Sequence, residues 1–239
     1  MKKILGILIA LILWEIATLM VNSELLLPSP FKTIVRLIQL ITTGELFSPL
    51  LSTFLKAFAG FALAIFFGFI VGFVMGLNQL FYELLRPLIS IVQSVPIVSW
   101  LALAILWWGI GNKGPVVIVF ITLFPVIALN VYEGVLNIDK KLVEMAKVYK
   151  VRKIKIFRDI YLGSLLPFIV SAVSVSSGLL WKSVVVAEFM AGSKGIGVEI
   201  SWAKSKLETV DVFAYTLLLV FLGILSEVLL RSIEKRFSY

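Results

Sequence analysis

The sequence contains no cysteine and no histidine, and these two absences exclude many kinds of active site. Disulfides, thiolate nucleophiles, zinc sites built from Cys and His, and serine–histidine catalysis all need side chains that this chain lacks. The sequence also has no GxxxxGK[ST] phosphate-binding loop, so it cannot cradle ATP phosphates by that motif. We therefore expect a chain with no catalytic residue, no metal and no cofactor.

Charged residues are scarce as well, because they make up 15% of the 239 residues, against about 25% in a soluble domain. Hydrophobic residues make up 60%, which is more apolar surface than one soluble core buries. Six spans of about 20 residues would use half of the chain. The sequence thus predicts an all-α fold, a polytopic membrane helical bundle with about six transmembrane helices. The apolar runs cover residues 4–21, 51–77, 88–108, 116–135, 163–187 and 211–230.

Two further segments organise the N-terminal half. Residues 31–43 place apolar side chains on one helical face and Lys32 and Arg36 on the other, which predicts an amphipathic helix at the membrane interface. Residues 78–87 are polar and predict a short turn before the third span, which Pro96 interrupts. We divide the chain into residues 1–50, holding the first transmembrane helix and the interfacial helix, and residues 51–239, the core domain.

Small residues recur in the second predicted span, at Gly68, Gly72 and Gly76. Glycines at this spacing share one helical face and let two helix backbones approach closely in lipid. We interpret this face as a packing surface within the chain. The alternative is a seam between two copies.

Basic residues outnumber acidic ones by 22 to 14. In a soluble protein such a surplus suggests a nucleic-acid partner. Here most of the surplus basic residues fall on one side of the membrane in the six-span topology. The positive-inside rule then makes both termini cytoplasmic. We expect a multi-pass protein of a bacterial or archaeal plasma (inner) membrane, surrounded by lipid and without a nucleic-acid partner. The basic residues on the cytoplasmic side are Lys2, Lys3, Arg86, eight residues between positions 137 and 159, Arg231, Lys235 and Arg236.

The segment 137–159 is too polar to enter the bilayer, since it holds those eight basic residues. Its apolar residues still follow a helical period, and Leu142, Met145, Ala146 and Tyr149 are predicted to share one face. A cytoplasmic helix of this kind either lies on anionic lipid or inserts apolar side chains into a groove of another protein. Periodicity alone leaves both alternatives open.

The same segment resembles the EAA motif, E-A-A-x3-G-x9-I-x-L-P, of the membrane-spanning subunits of ATP-binding-cassette (ABC) importers. Four positions match at the motif spacing, namely Glu144, Ala146, Ile160 and Leu162. Three positions depart from it, namely Met145, Lys150 and Gly163. The motif glycine permits a left-handed turn. Lys150 either adopts that conformation, at about 1–2 kcal/mol, or the turn is built differently.

Other stretches are similar to the nitrate/sulfonate/taurine branch of this permease family, and together they cover about residues 25 to 235. They include residues 27–30, 93–96, 107–111 and 178–183, followed by Ala187-Glu188. The resemblance implies the type I ABC importer permease fold with a coupling segment at 137–162. It also implies a small organic or anionic solute, of the sulfonate, taurine, nitrate or thiamine-precursor type.

The resemblance further implies three protein partners. These are a cytoplasmic ABC ATPase dimer, a second permease copy that we expect to be identical, and an extracytoplasmic solute-binding protein. The chain itself would not be an enzyme, because the ATPase hydrolyses ATP. Coupling to the ATPase would fall to Leu142, Glu144, Met145, Ala146, Tyr149 and Lys150.

Candidates for the translocation pathway centre on Lys182, which lies inside the fifth predicted span. A charge at such a depth lines a cavity or pairs with a partner, and Glu133 is the structural alternative. An anionic solute would be attracted by Lys182, whereas a neutral aromatic solute would stack on Trp181. The alternative function is an ATP-independent secondary transporter or channel, which would need no ATPase. The full set of pathway candidates is Gln93, Pro96, Trp181, Lys182, Ser183 and Glu188.

Overall fold

A computed structural model describes the backbone of residues 2–237 and the side chains in that range, except at positions 2–4, 7, 231 and 233–237. Every regular element in the described part is a helix. The α-helices are α1 (Lys2–Val21), α2 (Pro30–Thr42), α3 (Phe47–Leu77), α4 (Gln79–Ser94), α5 (Ile97–Trp108), α6 (Lys113–Leu136), α7 (Lys140–Val148), α8 (Lys153–Ile156), α9 (Gly163–Ala191), α10 (Ile196–Ser205) and α11 (Thr209–Phe237). A π-helical turn, Phe157–Leu162, joins α8 to α9.

Four helical stretches in the described part are long and apolar enough to cross a membrane. They are α3, α6, the unbroken stretch Lys153–Ala191, and α11 as far as Leu230. The pair α4 and α5 passes the same test together, although it bends by 93° at the break. The 20-residue α1 covers the first predicted span. The prediction of an all-α membrane bundle is confirmed.

The third span differs from its predicted form. The break at Pro96 is present between α4 and α5, because proline lacks the N–H that a continuing helix needs. The polar turn predicted for residues 78–87 is wrong, since α4 already begins at Gln79. Asn78 caps this helix, and its side-chain oxygen accepts a hydrogen bond of 2.9 Å from the Leu80 N–H.

The central core lies between α3, α6 and α9, and the glycine face of α3 packs against α6 of the same chain. Gly68, Gly72 and Gly76 all lie on this face. The closest approach is at Gly72, where an added Cβ would be 2.2 Å from the Ala128 carbonyl oxygen. Any side chain at this position would force α3 and α6 apart.

The amphipathic helix predicted for residues 31–43 is present as α2, and Ser29 caps it. It packs against α11 through Leu40, Tyr215 and Leu218. The first 50 residues are thus in contact with the core domain. The division of the chain at residue 50 stays a prediction. The orientation rests partly on the side chains of Lys2, Lys3, Arg231, Lys235 and Arg236, which lie outside the described residues.

Candidate functional site

The short helix α7 lies at the same end of the bundle as the C-terminus of α6. It exposes an apolar face there. Leu142, Met145 and Tyr149 are 44%, 53% and 77% exposed. Ala146 was predicted to share this face, and that prediction is wrong. It is only 7% exposed and packs with Val143 into the central core, because it lies on the side of α7 that faces the bundle.

The turn after α7 has the shape that the motif glycine would provide. Lys150 adopts a left-handed backbone with φ +54°. The Val151 N–H donates to the Ala146 carbonyl at 2.9 Å, and the Lys150 N–H donates to the Lys147 carbonyl at 3.0 Å. These two bonds form a Schellman motif. The chain therefore keeps the turn and accepts the strain of a lysine there.

The inner side of α7 borders a cavity of about 300 Å³. Glu144, Lys140 and Lys147 line it from α7, and Tyr161 lines it from the π-helical turn. Glu144 is thus placed away from the exposed apolar face. Any contact that it makes with a partner would occur at the edge of α7.

A groove of about 460 Å³ runs between α9 and α11. Trp181, Lys182, Thr216 and Glu227 line it. The Trp181 indole N–H donates to the Ser226 hydroxyl at 3.1 Å, which fixes the ring against α11. Lys182 is exposed to the groove and, within the described residues, forms no ion pair with Glu133.

A second cavity of about 410 Å³ lies at the break between α4 and α5. Gln93, Pro96 and Trp100 line one wall, and Thr122 and Pro125 of α6 line the other. Irregular backbone at membrane depth is tolerated where it borders protein or a water-filled cavity. The pathway candidates are therefore divided between two cavities within one chain.

Two of the pathway candidates are placed elsewhere. Ser183 is buried, and its hydroxyl donates to the Leu179 carbonyl at 2.9 Å within its own helix. Glu188 is 1% exposed and lies at the far end of α9. Both side chains are buried in the bundle and line neither cavity, so their assignment to a pathway stays a prediction.

Glu188 belongs to a buried ion pair that the sequence analysis missed. The Lys56 ammonium lies 2.8 Å from Glu188 Oε1. The Thr53 hydroxyl donates to Glu188 Oε2 at 2.8 Å, and the Gly197 N–H donates to the same oxygen at 3.1 Å. We call these four residues the Lys56–Glu188 cluster. The sequence did offer a signal for this pair. Lys56 lies inside the second apolar run, Glu188 follows the fifth run, and both were predicted on the same side of the membrane.

Gly195 borders this cluster and leaves no room for a side chain. Its φ is +133°, and an added Cβ would lie 2.1 Å from Glu188 Oε1. We expect Gly195→Ala to lower the free energy of unfolding by about 2 kcal/mol or more, from backbone strain and a displaced carboxylate. Thermal unfolding in detergent measures this effect. Gly111→Ala is the matched control, because an added Cβ at Gly111 meets nothing within 4 Å. Equal stability of the two variants would contradict the prediction.

Another charged group lies at the same end of the bundle as the Lys56–Glu188 cluster. The Arg36 guanidinium of α2 binds Asp211 through two hydrogen bonds of 2.7 and 2.8 Å. The hydrogen bond to Asp211 raises the pKa of Arg36 above its ordinary value. Burial raises the pKa of the nearby Glu199 carboxyl, because desolvation disfavours its charged form.

Comparison with known proteins gives consistent matches. Residues 64–239 match the family described as binding-protein-dependent transport system inner membrane component. A protein named as the aliphatic sulfonates transport permease SsuC of Bacillus subtilis (strain 168) is 29% identical over 237 residues, which is 99% of this chain and 86% of that protein. Its namesake in Escherichia coli (strain K12) is 32% identical over 214 residues, covering 89% of this chain and 81% of that one.

The fold is also similar to a solved structure. A chain of the MetNI methionine ABC transporter, in an inward-facing conformation, superposes with a TM-score of 0.61 and 22% sequence identity. The match covers 80% of the present chain and 93% of the other one.

Proposed function

Because the chain belongs to the family of binding-protein-dependent transport system inner membrane components, we propose that it works as one half of a translocation pathway driven by a separate ATPase. The chain is an ABC transporter permease of the multi-pass membrane type, and it is not itself catalytic. Its family implies an ATPase and a solute-binding protein as partners. The proposal adds the roles of individual residues, an identical second copy, and cytoplasmic termini.

The exposed apolar face of α7 is the observation that supports coupling to an ATPase. Leu142, Met145 and Tyr149 lie at i, i+3 and i+7, the spacing of side chains that anchor a helix in a protein groove. Exposure of three apolar side chains to water on one face of a short helix is unfavourable, which favours a partner that covers them. Docking on lipid would use the same face, but membership in this family favours a protein groove.

The structure of α7 suits the transfer of movement. Val143 and Ala146 pack into the central core on one side, while the Schellman turn at Lys150 fixes the exit of the chain on the other. An ATPase that moves α7 would therefore move the packed spans with it, as a rigid body. Such movements of packed helices switch a pathway between two openings. We assign Glu144 and Lys150 to the edge of this contact.

We assign the groove between α9 and α11 to the translocation pathway. Lys182 there carries a positive charge within a span, where exposure to lipid is unfavourable. The face that bears it is therefore covered by protein or water, as a pathway beside a second copy would provide. Two relatives are named for aliphatic sulfonates, so an anionic solute that contacts Lys182 is the favoured cargo. Gln93 and Pro96 border the second cavity and would shape the same route.

We expect Lys182→Gln to raise the KM for uptake of an alkanesulfonate about tenfold, since one charge-assisted hydrogen bond is lost. Uptake into proteoliposomes with saturating solute-binding protein measures the change. Lys182→Arg keeps the charge and should retain most of the uptake. Lys32→Gln, in an exposed ion pair on α2 and outside the groove, should leave KM unchanged. An unaltered KM in Lys182→Gln would contradict the assignment.

The function itself is tested by assembly. The chain is co-expressed with the ATPase and solute-binding protein of its own genome, purified and placed in vesicles. Uptake that requires all three components and ATP would support an importer. Uptake by the chain alone, driven by an ion gradient, would instead support the secondary transporter.

A further inference from the structure

A single helical stretch connects the α7 end of the bundle to the opposite end. It begins at Lys153, shortly after the Schellman turn, and continues for 39 residues to Ala191. The π-helical turn and Pro167 alter its hydrogen bonding without breaking it. At about 1.5 Å per residue, this stretch reaches across the whole membrane, so a movement of its start is carried to its end.

The Lys56–Glu188 cluster fastens two other elements to the far end of this stretch. Glu188 lies in the last turn of α9 and binds Lys56 and Thr53 of α3. The same carboxylate accepts from the Gly197 N–H, in the first turn of α10. A negative charge at this position is favourable, because the N–H groups of a helix N-terminus are exposed donors with a positive partial charge.

The linker between α9 and α10 closes around the carboxylate. The Lys56 ammonium donates to the Lys194 carbonyl, and the Ile196 N–H donates to the Thr53 hydroxyl at 2.8 Å. Gly195 lies so close to the carboxylate that no side chain fits. Residues 192–197 are therefore held to α3 and α9 together.

We propose that Glu188 is a positioning residue for transport, which holds α10 and residues 192–197 to α3 and α9 so that these elements move as one body when α7 is displaced. This inference rests on the proposed function, because it needs an ATPase that moves α7. The position of α10 would then change with the state of the ATPase, which lies on the opposite side of the membrane. The solute-binding protein would meet α10 there.

The chemistry of the cluster suits this role. A buried charge is strongly unfavourable unless its partner stays in place, so Lys56 and Glu188 keep each other within contact distance. Separation of α10 from α9 would also leave buried N–H groups without acceptors. The connection is therefore stiff, unlike an exposed surface pair.

The first test uses the complete transporter with the double variant Lys56→Met and Glu188→Gln, which removes both buried charges together. The complex should assemble, and its basal ATP hydrolysis should stay within about twofold of the unchanged complex. Uptake and the stimulation of hydrolysis by loaded solute-binding protein should fall about tenfold, the size of a typical coupling effect. The control is Arg36→Gln with Asp211→Asn, which removes an ion pair between α2 and α11 and should preserve the stimulation.

The second test restores the connection covalently. The Ser52 hydroxyl lies 3.4 Å from the Lys194 carbonyl, and the native chain has no cysteine. Ser52→Cys and Lys194→Cys can therefore be joined by a short bis-methanethiosulfonate reagent. Joining them should restore uptake to the double variant, and a reductant should abolish it again. The same link in an otherwise unchanged chain should leave uptake intact.

Three outcomes separate the possibilities. Normal uptake by the folded double variant would overturn the inference. Loss of uptake on linking Ser52→Cys to Lys194→Cys in the otherwise unchanged chain would also overturn it, because residues 192–197 would then have to leave α3 during transport. This second arm decides the matter even if the double variant does not fold. An unchanged complex that transports without ATP would instead contradict the proposed function.

Discussion

Replacing Met145 and Tyr149 together with glutamate should abolish ATP-driven uptake while the permease stays folded in the membrane. Both side chains are exposed, so their loss removes no core packing. Buried anchor residues at a protein interface typically contribute about 2 kcal/mol or more each, which weakens binding about thirtyfold per residue. A charge placed in an apolar groove adds a desolvation penalty. The ATPase should therefore no longer co-purify with the permease.

Pull-down of the ATPase and uptake into vesicles are the two measurements for this variant. Lys153→Glu is the matched control, because it changes the net charge of the same segment by the same amount without altering the apolar face. The control should keep the ATPase bound. If both variants lose the ATPase equally, the basic charge of the segment, and not the apolar face of α7, holds the partner.

This variant differs from one that sequence alone would suggest, which would combine Glu144→Arg with Ala146→Asp. Ala146 is buried in the core, so an aspartate there would unfold the region and reveal nothing about coupling. A helical period identifies residues that share a face, but it does not say where the exposed arc ends. Only the packing of α7 on the bundle separates Ala146 from Met145.

Features that depend on local sequence were predictable. Proline at position 96 breaks the third span, apolar length gives the other spans, and the amphipathic pattern gives α2. The left-handed Lys150 was one of two alternatives at the sequence level. Local sequence was misleading at residues 78–87, where Asn78 caps α4 and the residues after it form the first turns of that helix.

The Lys56–Glu188 cluster was not predictable in the same way, because its two charged residues are 132 positions apart in the chain. Each charge by itself suggests an exposed residue near the membrane surface. Their pairing depends on how α3 and α9 pack, which rests in turn on glycine faces and on the core residues between them. Burial and pairing are thus properties of the assembled bundle.

The single variant Lys56→Met should destabilise the permease more than the removal of both charges. Glu188 would remain 1% exposed with no cation beside it, and breaking a buried pair from one side typically lowers the free energy of unfolding by about 3–5 kcal/mol. Glu188→Gln added to Lys56→Met should recover part of this loss, since glutamine carries no charge and still accepts from the Gly197 N–H.

Thermal unfolding of the two single variants and the double variant in detergent completes a double-mutant cycle. The expected result is a coupling energy well above the 0–1 kcal/mol that is typical of exposed pairs. Arg36→Gln and Asp211→Asn provide a reference cycle on a pair whose side chains are 31% and 16% exposed, and its coupling should be smaller. If Lys56→Met is as stable as the double variant, Glu188 does not depend on the lysine charge. The hydrogen bonds from Thr53 and Gly197 would then hold the carboxylate, and the polar contact from α3 to Glu188 would rest on Thr53 alone.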